Sequence, residues 1–203
     1  MELTGHFVGR SPELSRLEDA LTKLGDGAGG AIEIVGAAGI GKTRLLAEFA
    51  ARADARGHIV LTGAGADLER DLAFWVFVDA LDEYIESVEP RRLANLDEEV
   101  RVELAQVFPS LSSLARGGAA GVQDERYRIN RAVRELLERL AATKPLVLIL
   151  DDFHWADPAS VDLAASLLRR PPDAKVLMVL ASRPSQAPPR LVSAANRAQR
   201  EGG

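Results

Sequence analysis

The segment that most constrains this chain is Gly36-Ala37-Ala38-Gly39-Ile40-Gly41-Lys42-Thr43. It fits the phosphate-binding pattern G-x-x-x-x-G-K-[ST], the Walker A motif, at every defined position. Glycines in this pattern let successive backbone N–H groups turn inward around an anion, and the following helix adds the positive end of its dipole. Lys42 is expected to reach the β- and γ-phosphates, and the Thr43 hydroxyl to ligate Mg²⁺. The segment therefore predicts a binding site for a nucleoside triphosphate.

The residues on either side of this segment fit the same interpretation. Residues 31–35 form a short β-prone run, and after the motif apolar residues recur at helical spacing, at Leu45, Leu46, Phe49 and Ala53. The alternative, a glycine-rich turn between two core elements, does not require this order of strand, loop and helix. The residues expected to contact the nucleotide here are Gly36, Ala37, Ala38, Gly39, Ile40, Gly41, Lys42, Thr43 and Arg44.

Composition narrows the class of protein. The chain has 203 residues and a net charge of −5, which argues against a surface built to hold nucleic acid, so we expect no direct DNA binding by this chain. It has no cysteine, which excludes disulfides and thiolate metal sites, and we expect no metal other than nucleotide-bound Mg²⁺. No apolar run is long enough to cross a membrane, and we expect a cytoplasmic protein.

Hydrophobic periodicity predicts an α/β fold. Strands are predicted at 31–35, 58–63, 146–150 and 176–180, and apolar stripes predict helices before, between and after them. The runs at 146–150 and 176–180 are apolar throughout, as in strands buried on both faces of a parallel sheet. We therefore expect a P-loop NTPase fold, a mainly parallel sheet flanked by helices, with the ligand at the carboxyl ends of the strands.

Further signals mark the helices. Ser11-Pro12-Glu13 predicts a helix start with Ser11 as N-cap, and Asp157-Pro158 predicts another. Two apolar stripes, within 74–88 and 96–107, predict a helical insert that spans 66–122 and includes a candidate mobile loop at 112–121. A last helix is predicted around 191–198.

Two acids directly follow the apolar run at 146–150. A P-loop protein needs one carboxylate there to hold Mg²⁺ and another to polarise the attacking water, the Walker B arrangement. We assign Asp151 to Mg²⁺ and Asp152 to the water. The alternative is a pair of turn-forming acids that end a core strand. His154 and Trp155 are interpreted as packing and loop-orienting residues.

Charged residues on the next predicted helix have a simpler interpretation. Arg126, Arg128, Arg131 and Arg134 are expected to form a solvated helix face.

The segment Leu150-Asp151-Asp152-Phe153-His154-Trp155-Ala156-Asp157-Pro158-Ala159-Ser160 resembles the Walker B segment of the STAND class of signalling ATPases. The likeness is strongest to the ATPase domain of the large ATP-binding transcriptional regulators of the bacterial LuxR family. Phe7-Val8-Gly9-Arg10-Ser11-Pro12-Glu13-Leu14 is similar to their Gly-Arg element, which implies that Val8, Gly9 and Arg10 pack on adenine and ribose. The alternative for Arg10 is a solvated residue near a helix start.

Three further segments extend the resemblance. Ala181-Ser182-Arg183-Pro184 is similar to the family's sensor segment, which implies that Arg183 lies near the γ-phosphate; the alternative is an ordinary strand-terminal arginine. Asp71-Leu72-Ala73-Phe74 and Asp79-Ala80-Leu81-Asp82 also match, although Ala73 stands where a proline is usual.

The resemblance implies strand order 5-1-4-3-2. It also implies a fifth strand, a lid, a winged-helix domain, sensor repeats and a helix-turn-helix domain beyond this chain. We therefore interpret 1–203 as a P-loop ATPase core truncated before the lid and without the fifth strand.

Function follows from these observations as an expectation. The chain is expected to bind ATP and Mg²⁺ and to hydrolyse ATP slowly as the core of a STAND-type regulator, with Asp152, Lys42 and Arg183 as catalytic residues and Thr43 and Asp151 as metal ligands. Further domains or protein partners and a nucleotide-dependent oligomer are expected with it. Two alternatives remain: a nucleotide-binding module without turnover, and a P-loop phosphotransferase.

Overall fold

The computed structural model describes residues 10–88, 96–114, 122–184 and 186–201. The strands are β1 (Gly30–Val35), β2 (Ile59–Ala64), β3 (Leu146–Asp151) and β4 (Val176–Ser182). The helices are α1 (Ser11–Gly25), α2 (Lys42–Ala55), α3 (Trp75–Ser87), α4 (Glu98–Ala105), α5 (Val122–Leu140), α6 (Pro158–Arg169) and α7 (Pro189–Glu201). Short 3₁₀ turns lie at Asp67–Glu69, Pro109–Leu114 and Phe153–Trp155.

The four strands form one parallel sheet in the order β1-β4-β3-β2. Val35 pairs with Ser182 and Gly63 with Leu150, so the strands end at one edge of the sheet. The predicted α/β class and the 1-4-3-2 part of the expected order are confirmed. Within the described residues β1 pairs with β4 alone.

Helices cover both faces of the sheet. Val147 and Ile149 pack in one core with residues of α1 and α2, whereas Leu148 and Leu150 pack in a second core with α3, α4, α5 and α6. Because successive strand residues point to opposite faces, both faces of β3 have to be apolar. This two-sided burial explains the uninterrupted apolar runs at β3 and β4.

Element boundaries differ from the predictions by small amounts. The predicted N-cap Ser11 is instead the first residue of α1, because the amide of Leu14 donates to the carbonyl of Arg10 and makes Arg10 the N-cap. β2 runs from Ile59 to Ala64, one residue later than predicted. The final helix is longer than its predicted core. Most of the candidate mobile loop, 115–121, lies outside the described residues.

One arginine of the predicted solvated face is misassigned. Arg128 Nε donates to Glu103 Oε1 at 2.6 Å, and the Glu103 carboxylate, on α4, is buried. Gln106 Nε2 donates to the other oxygen of Glu103 at 2.9 Å. The prediction was wrong for Arg128 because α4 packs against α5 and places a buried carboxylate opposite it.

Candidate functional site

The loop at 36–41 connects the carboxyl end of β1 to α2. Gly39 and Gly41 have φ angles of +71° and +90°, a left-handed backbone that side chains with a Cβ rarely adopt. A Cβ added to Gly36 would lie 2.9 Å from Ile40 Cγ2, and the Gly36 amide donates to the Ser182 carbonyl at 3.2 Å. The glycines thus let the loop curl tightly against the end of β4.

Lys42, the first residue of α2, is buried inside this curl. Its side chain is part of a residue only 6% exposed, and Nζ donates to the carbonyls of Gly36 at 3.0 Å and Ala37 at 3.3 Å. The first amides of a helix have no acceptor within the helix. A buried ammonium and the backbone amides of a helix start meet at this loop, so the residues present fit a phosphate group.

Arg10, the residue before α1, contacts the same loop. Its guanidinium donates to the carbonyl of Ile40, whose side chain is exposed at the loop tip. Val8 and Gly9, expected to contact the base and ribose, lie outside the described residues. Arg44 follows on the exposed side of the first turn of α2.

The structure brings Thr43 and Asp151 together, although 108 positions separate them in the sequence. Thr43 Oγ1 donates to Asp151 Oδ2 at 2.6 Å, and the other carboxylate oxygen, Oδ1, accepts from the Asp152 amide at 2.7 Å. A hydroxyl and a carboxylate at hydrogen-bond distance are oxygen ligands of the kind that Mg²⁺ takes. The side chains of the two predicted metal ligands therefore lie next to each other.

Asp152 leaves the strand geometry. Its φ and ψ are +44° and +38°, a left-handed conformation that is uncommon for a residue with a side chain and is enriched at functional sites. The carboxylate remains 39% exposed, and Oδ1 lies 3.7 Å from His154 Nδ1. The Asp152 carboxylate is therefore open to solvent, whereas the Asp151 carboxylate is bonded to Thr43 and to the Asp152 amide.

His154 is buried in this turn. Neither of its ring nitrogens has a hydrogen-bond partner within the described part of the chain. Burial lowers the pKa of His154 below its usual value of 6.5, and Asp152 opposes that shift. The positive charges of Arg183, Lys42 and Arg70 lower the pKa further. The His154 imidazole therefore lies close enough to interact with charges in three segments: Lys42 after the loop, Arg183 after β4 and Arg70 after β2.

Arg183 directly follows β4. Its Nε and the Ser182 hydroxyl are buried, and neither atom has a hydrogen-bond partner among the residues described. The Arg183 guanidinium carbon lies 6.0 Å from the centroid of the Trp155 ring. The structure therefore places this arginine near Trp155, in the turn at 152–157.

Asp157 does more than the sequence predicted. It caps α6, as expected, through bonds from the amides of Ala159 and Ser160 at 2.9 Å. The Ser160 hydroxyl donates to the same buried carboxylate, and so do the amides of Phe74 at 3.0 Å and Trp75 at 3.2 Å. Sequence reasoning could find the cap from the Asp-Pro pair but had no signal for the attachment to α3.

Two other acids, both on α3, bind the end of β2 and the 3₁₀ turn at Pro109–Leu114. Asp79 Oδ2 accepts from the amide of Ala64 at 2.9 Å. Asp82 Oδ1 accepts from the amide and the hydroxyl of Ser110, at 3.0 and 2.6 Å. Asp79 and Asp82 therefore have a structural role, because each connects α3 to another element by hydrogen bonds.

Comparisons with known proteins found a family and one relative. A family model described as AAA ATPase domain matches residues 6–180. An uncharacterised protein of Rhizobium meliloti (strain 1021) is 29% identical over 210 residues, which cover 90% of this chain and 19% of that protein. The chain thus spans about a fifth of that relative's length.

Solved structures also match. A chain in the structure of Drosophila ORC bound to poly(dA/dT) DNA and Cdc6 has 12% identity and a TM-score of 0.46, over 94% of this chain and 30% of that one. A chain in the structure of Drosophila ORC bound to AT-rich DNA and Cdc6 has 14% identity and a TM-score of 0.44, over 90% of this chain and 52% of that one. None of the helices in the described ranges is long and apolar enough to cross a membrane.

Proposed function

Because the chain belongs to the AAA ATPase domain family, we propose that it binds Mg²⁺-ATP at the 36–43 loop and hydrolyses it slowly. The observation that carries this proposal is the 2.6 Å contact between Thr43 Oγ1 and Asp151 Oδ2 beside the buried Lys42. It joins the two halves of a phosphate and metal site that the sequence holds far apart.

Each residue of the proposed site has a distinct role. The loop amides and Lys42 bind the β- and γ-phosphates and stabilise the charge that develops on them. Thr43 and Asp151 would hold Mg²⁺, which neutralises phosphate charge when it is bound. Arg183 would contact the γ-phosphate from the end of β4.

Asp152 is the residue we assign to the water. Its exposed carboxylate orients a water molecule and takes a proton from it as the water oxygen bonds to the γ-phosphorus. The bond between that phosphorus and the β–γ bridging oxygen breaks, and ADP and inorganic phosphate leave. The exposure of this carboxylate supports the assignment, because it is 39% exposed whereas both oxygens of Asp151 already accept hydrogen bonds.

The resemblance to STAND regulators of the LuxR type supports a wider role. We propose that 1–203 is the ATPase core of a longer signalling regulator, that 66–122 is a helical insert within it, and that nucleotide state controls its further domains or its oligomerisation. The relative from Rhizobium meliloti is about five times as long as the matched region, which agrees with such an arrangement.

The test separates binding from turnover. Asp152→Asn is expected to leave the affinity for Mg²⁺-ATP unchanged and to lower phosphate release, because its amide cannot accept the proton. Asp151→Asn is expected to weaken the Mg²⁺-dependent part of the affinity as well. Fluorescent nucleotide titration and phosphate release at saturating ATP measure the two effects.

The proposal also sets an upper bound on the rate. Turnover is expected to be below about 1 s⁻¹, the low end of enzyme rates, because the Asp152 carboxylate is 39% exposed and bulk water reaches this part of the site. Equal rates in the unmodified protein and in Asp152→Asn would refute the role of Asp152. Measurable ATP binding with no turnover in either would instead establish a nucleotide-binding module.

A further inference from the structure

The segment after β2 is fastened directly to the turn at 152–157. The amide of Gly65 donates to the carbonyl of Asp151 at 3.0 Å. A Cβ added to Gly65 would lie 2.6 Å from the Asp152 carbonyl oxygen and 3.2 Å from Trp155 Cβ. A side chain at position 65 cannot fit between the segment after β2 and the turn at 152–157. A movement of one of these two segments therefore displaces the other.

Arg70, five residues further on, makes the outermost of these contacts. Its guanidinium carbon lies 4.3 Å from the centroid of the Trp155 ring, and Nη2 donates to the carbonyl of His154 at 3.3 Å. Nη1 is also 3.6 Å from the carboxylate of Asp67. A planar guanidinium that both stacks on the ring and binds the adjacent carbonyl fixes the orientation of Trp155.

The same ring is in contact range of a second arginine. The Arg183 guanidinium carbon lies 6.0 Å from the ring centroid, and its buried Nε has no hydrogen-bond partner among the described residues. The Trp155 ring is therefore the aromatic surface against which this arginine rests. If Trp155 turns, Arg183 loses its support.

We propose that Arg70 is a positioning residue for recognition of the terminal phosphate: it holds Trp155 in place, and Trp155 in turn sets the direction in which Arg183 reaches the γ-phosphate. This inference rests on the proposed function and adds a residue that lies outside the 36–43 loop, the 150–160 segment and the sensor segment. Arg70 acts through Arg183 on the γ-phosphate alone, whereas Lys42 and the loop also bind the β-phosphate, which ATP and ADP share.

The test compares the affinities for ADP and for a non-hydrolysable ATP analogue, both with Mg²⁺. Arg70→Ala is expected to keep its ADP affinity and to lose about fivefold to tenfold in affinity for the analogue, the scale of one partly exposed cation–π contact and its hydrogen bond. Arg70→Lys keeps a cation near the ring but lacks the planar fork of arginine. Its affinity for the analogue is expected to lie between those of the unmodified protein and of Arg70→Ala. Arg169→Ala, an exposed arginine at the far end of α6, is the matched control and is expected to change neither affinity.

A double replacement decides whether Arg70 acts through Arg183. The Arg70→Ala and Arg183→Ala double variant is expected to bind the analogue no more weakly than Arg183→Ala alone. Additive losses, or an equal loss of ADP and analogue affinity in Arg70→Ala, would overturn the inference. Failure of the unmodified protein to bind either nucleotide would overturn the proposed function, and the role of Arg70 with it.

Discussion

Replacing Asp157 with alanine tests how strongly α3 is fastened to the turn that carries Asp152. Five donors converge on this one carboxylate, which belongs to a residue 2% exposed: the hydroxyl and amide of Ser160 and the amides of Ala159, Phe74 and Trp75. Alanine would remove every acceptor and leave the donors at the starts of two helices without a partner. The free energy of unfolding is therefore expected to fall.

The magnitude follows from the number and kind of bonds. A hydrogen bond to a charged group contributes about 1.5–3 kcal/mol, and loss of a helix N-cap costs about 0.5–2 kcal/mol. The five contributions do not add, because the helix starts can loosen and regain water. We expect a loss of about 3–5 kcal/mol, similar to the loss of one partner of a buried ion pair.

Asp157→Ser divides this loss into its two parts. Serine keeps an acceptor for the α6 amides but is too short to reach the amides of Phe74 and Trp75 as well. It is expected to lose about half as much stability as alanine. Asp19→Ala, at an exposed position on α1, is the control and is expected to stay within about 0.5 kcal/mol of the unmodified protein.

Urea unfolding followed by circular dichroism measures these differences. In thermal unfolding, a chain of this length should show a Tm that is roughly 6–20 °C lower in the alanine variant than in the unmodified protein. A loss below about 1 kcal/mol in Asp157→Ala would mean that solvent replaces these bonds at little cost. A serine variant as stable as the unmodified protein would mean that the attachment to α3 contributes nothing.

Three further outcomes are expected. Lys42→Ala should abolish nucleotide binding, since it removes charge-assisted contacts to the phosphates of about 1.5–3 kcal/mol each; unchanged affinity in a nucleotide titration, with the fold intact, would show that the 36–43 loop is not the site. The chain should give no sequence-dependent gel shift with duplex DNA at physiological salt, because its net charge is −5; a shift at submicromolar protein would contradict this. Burial holds the pKa of His58 and of His154 below 6.5 in the folded chain, so the unfolded chain binds more protons and the free energy of unfolding should fall as pH drops below about 7. Replacing both histidines with glutamine should flatten that slope in urea titrations between about pH 7.5 and 5.5, and an unaltered slope would assign it to other groups.

Patterns of residues that are close in the sequence predicted most elements of the fold. The apolar runs at β3 and β4, the helical stripes and the motif at 36–43 are each written within a few consecutive residues, and spacing alone identifies them. Parallel strands end at one edge of the sheet, so even the proximity of Thr43 to Asp151 could be expected before any distance was known. The N-cap of α1 is one residue earlier than predicted, because a backbone hydrogen bond to the Arg10 carbonyl decides where the helix begins. No side-chain pattern in the sequence indicates that bond.

Contacts between distant residues needed the tertiary structure. The sequence by itself determined the α/β class and the element types and predicted candidate residues for phosphate and magnesium, because each depends on side chains that are neighbours along the chain. Only the tertiary structure decided that Asp157 also holds α3, that Arg128 meets a buried carboxylate and that Arg70 stacks on Trp155. These pairs are 25 to 85 positions apart, so each depends on strand order and helix packing, and hydrophobic periodicity specifies which face of an element is buried but not which polar group it will meet there.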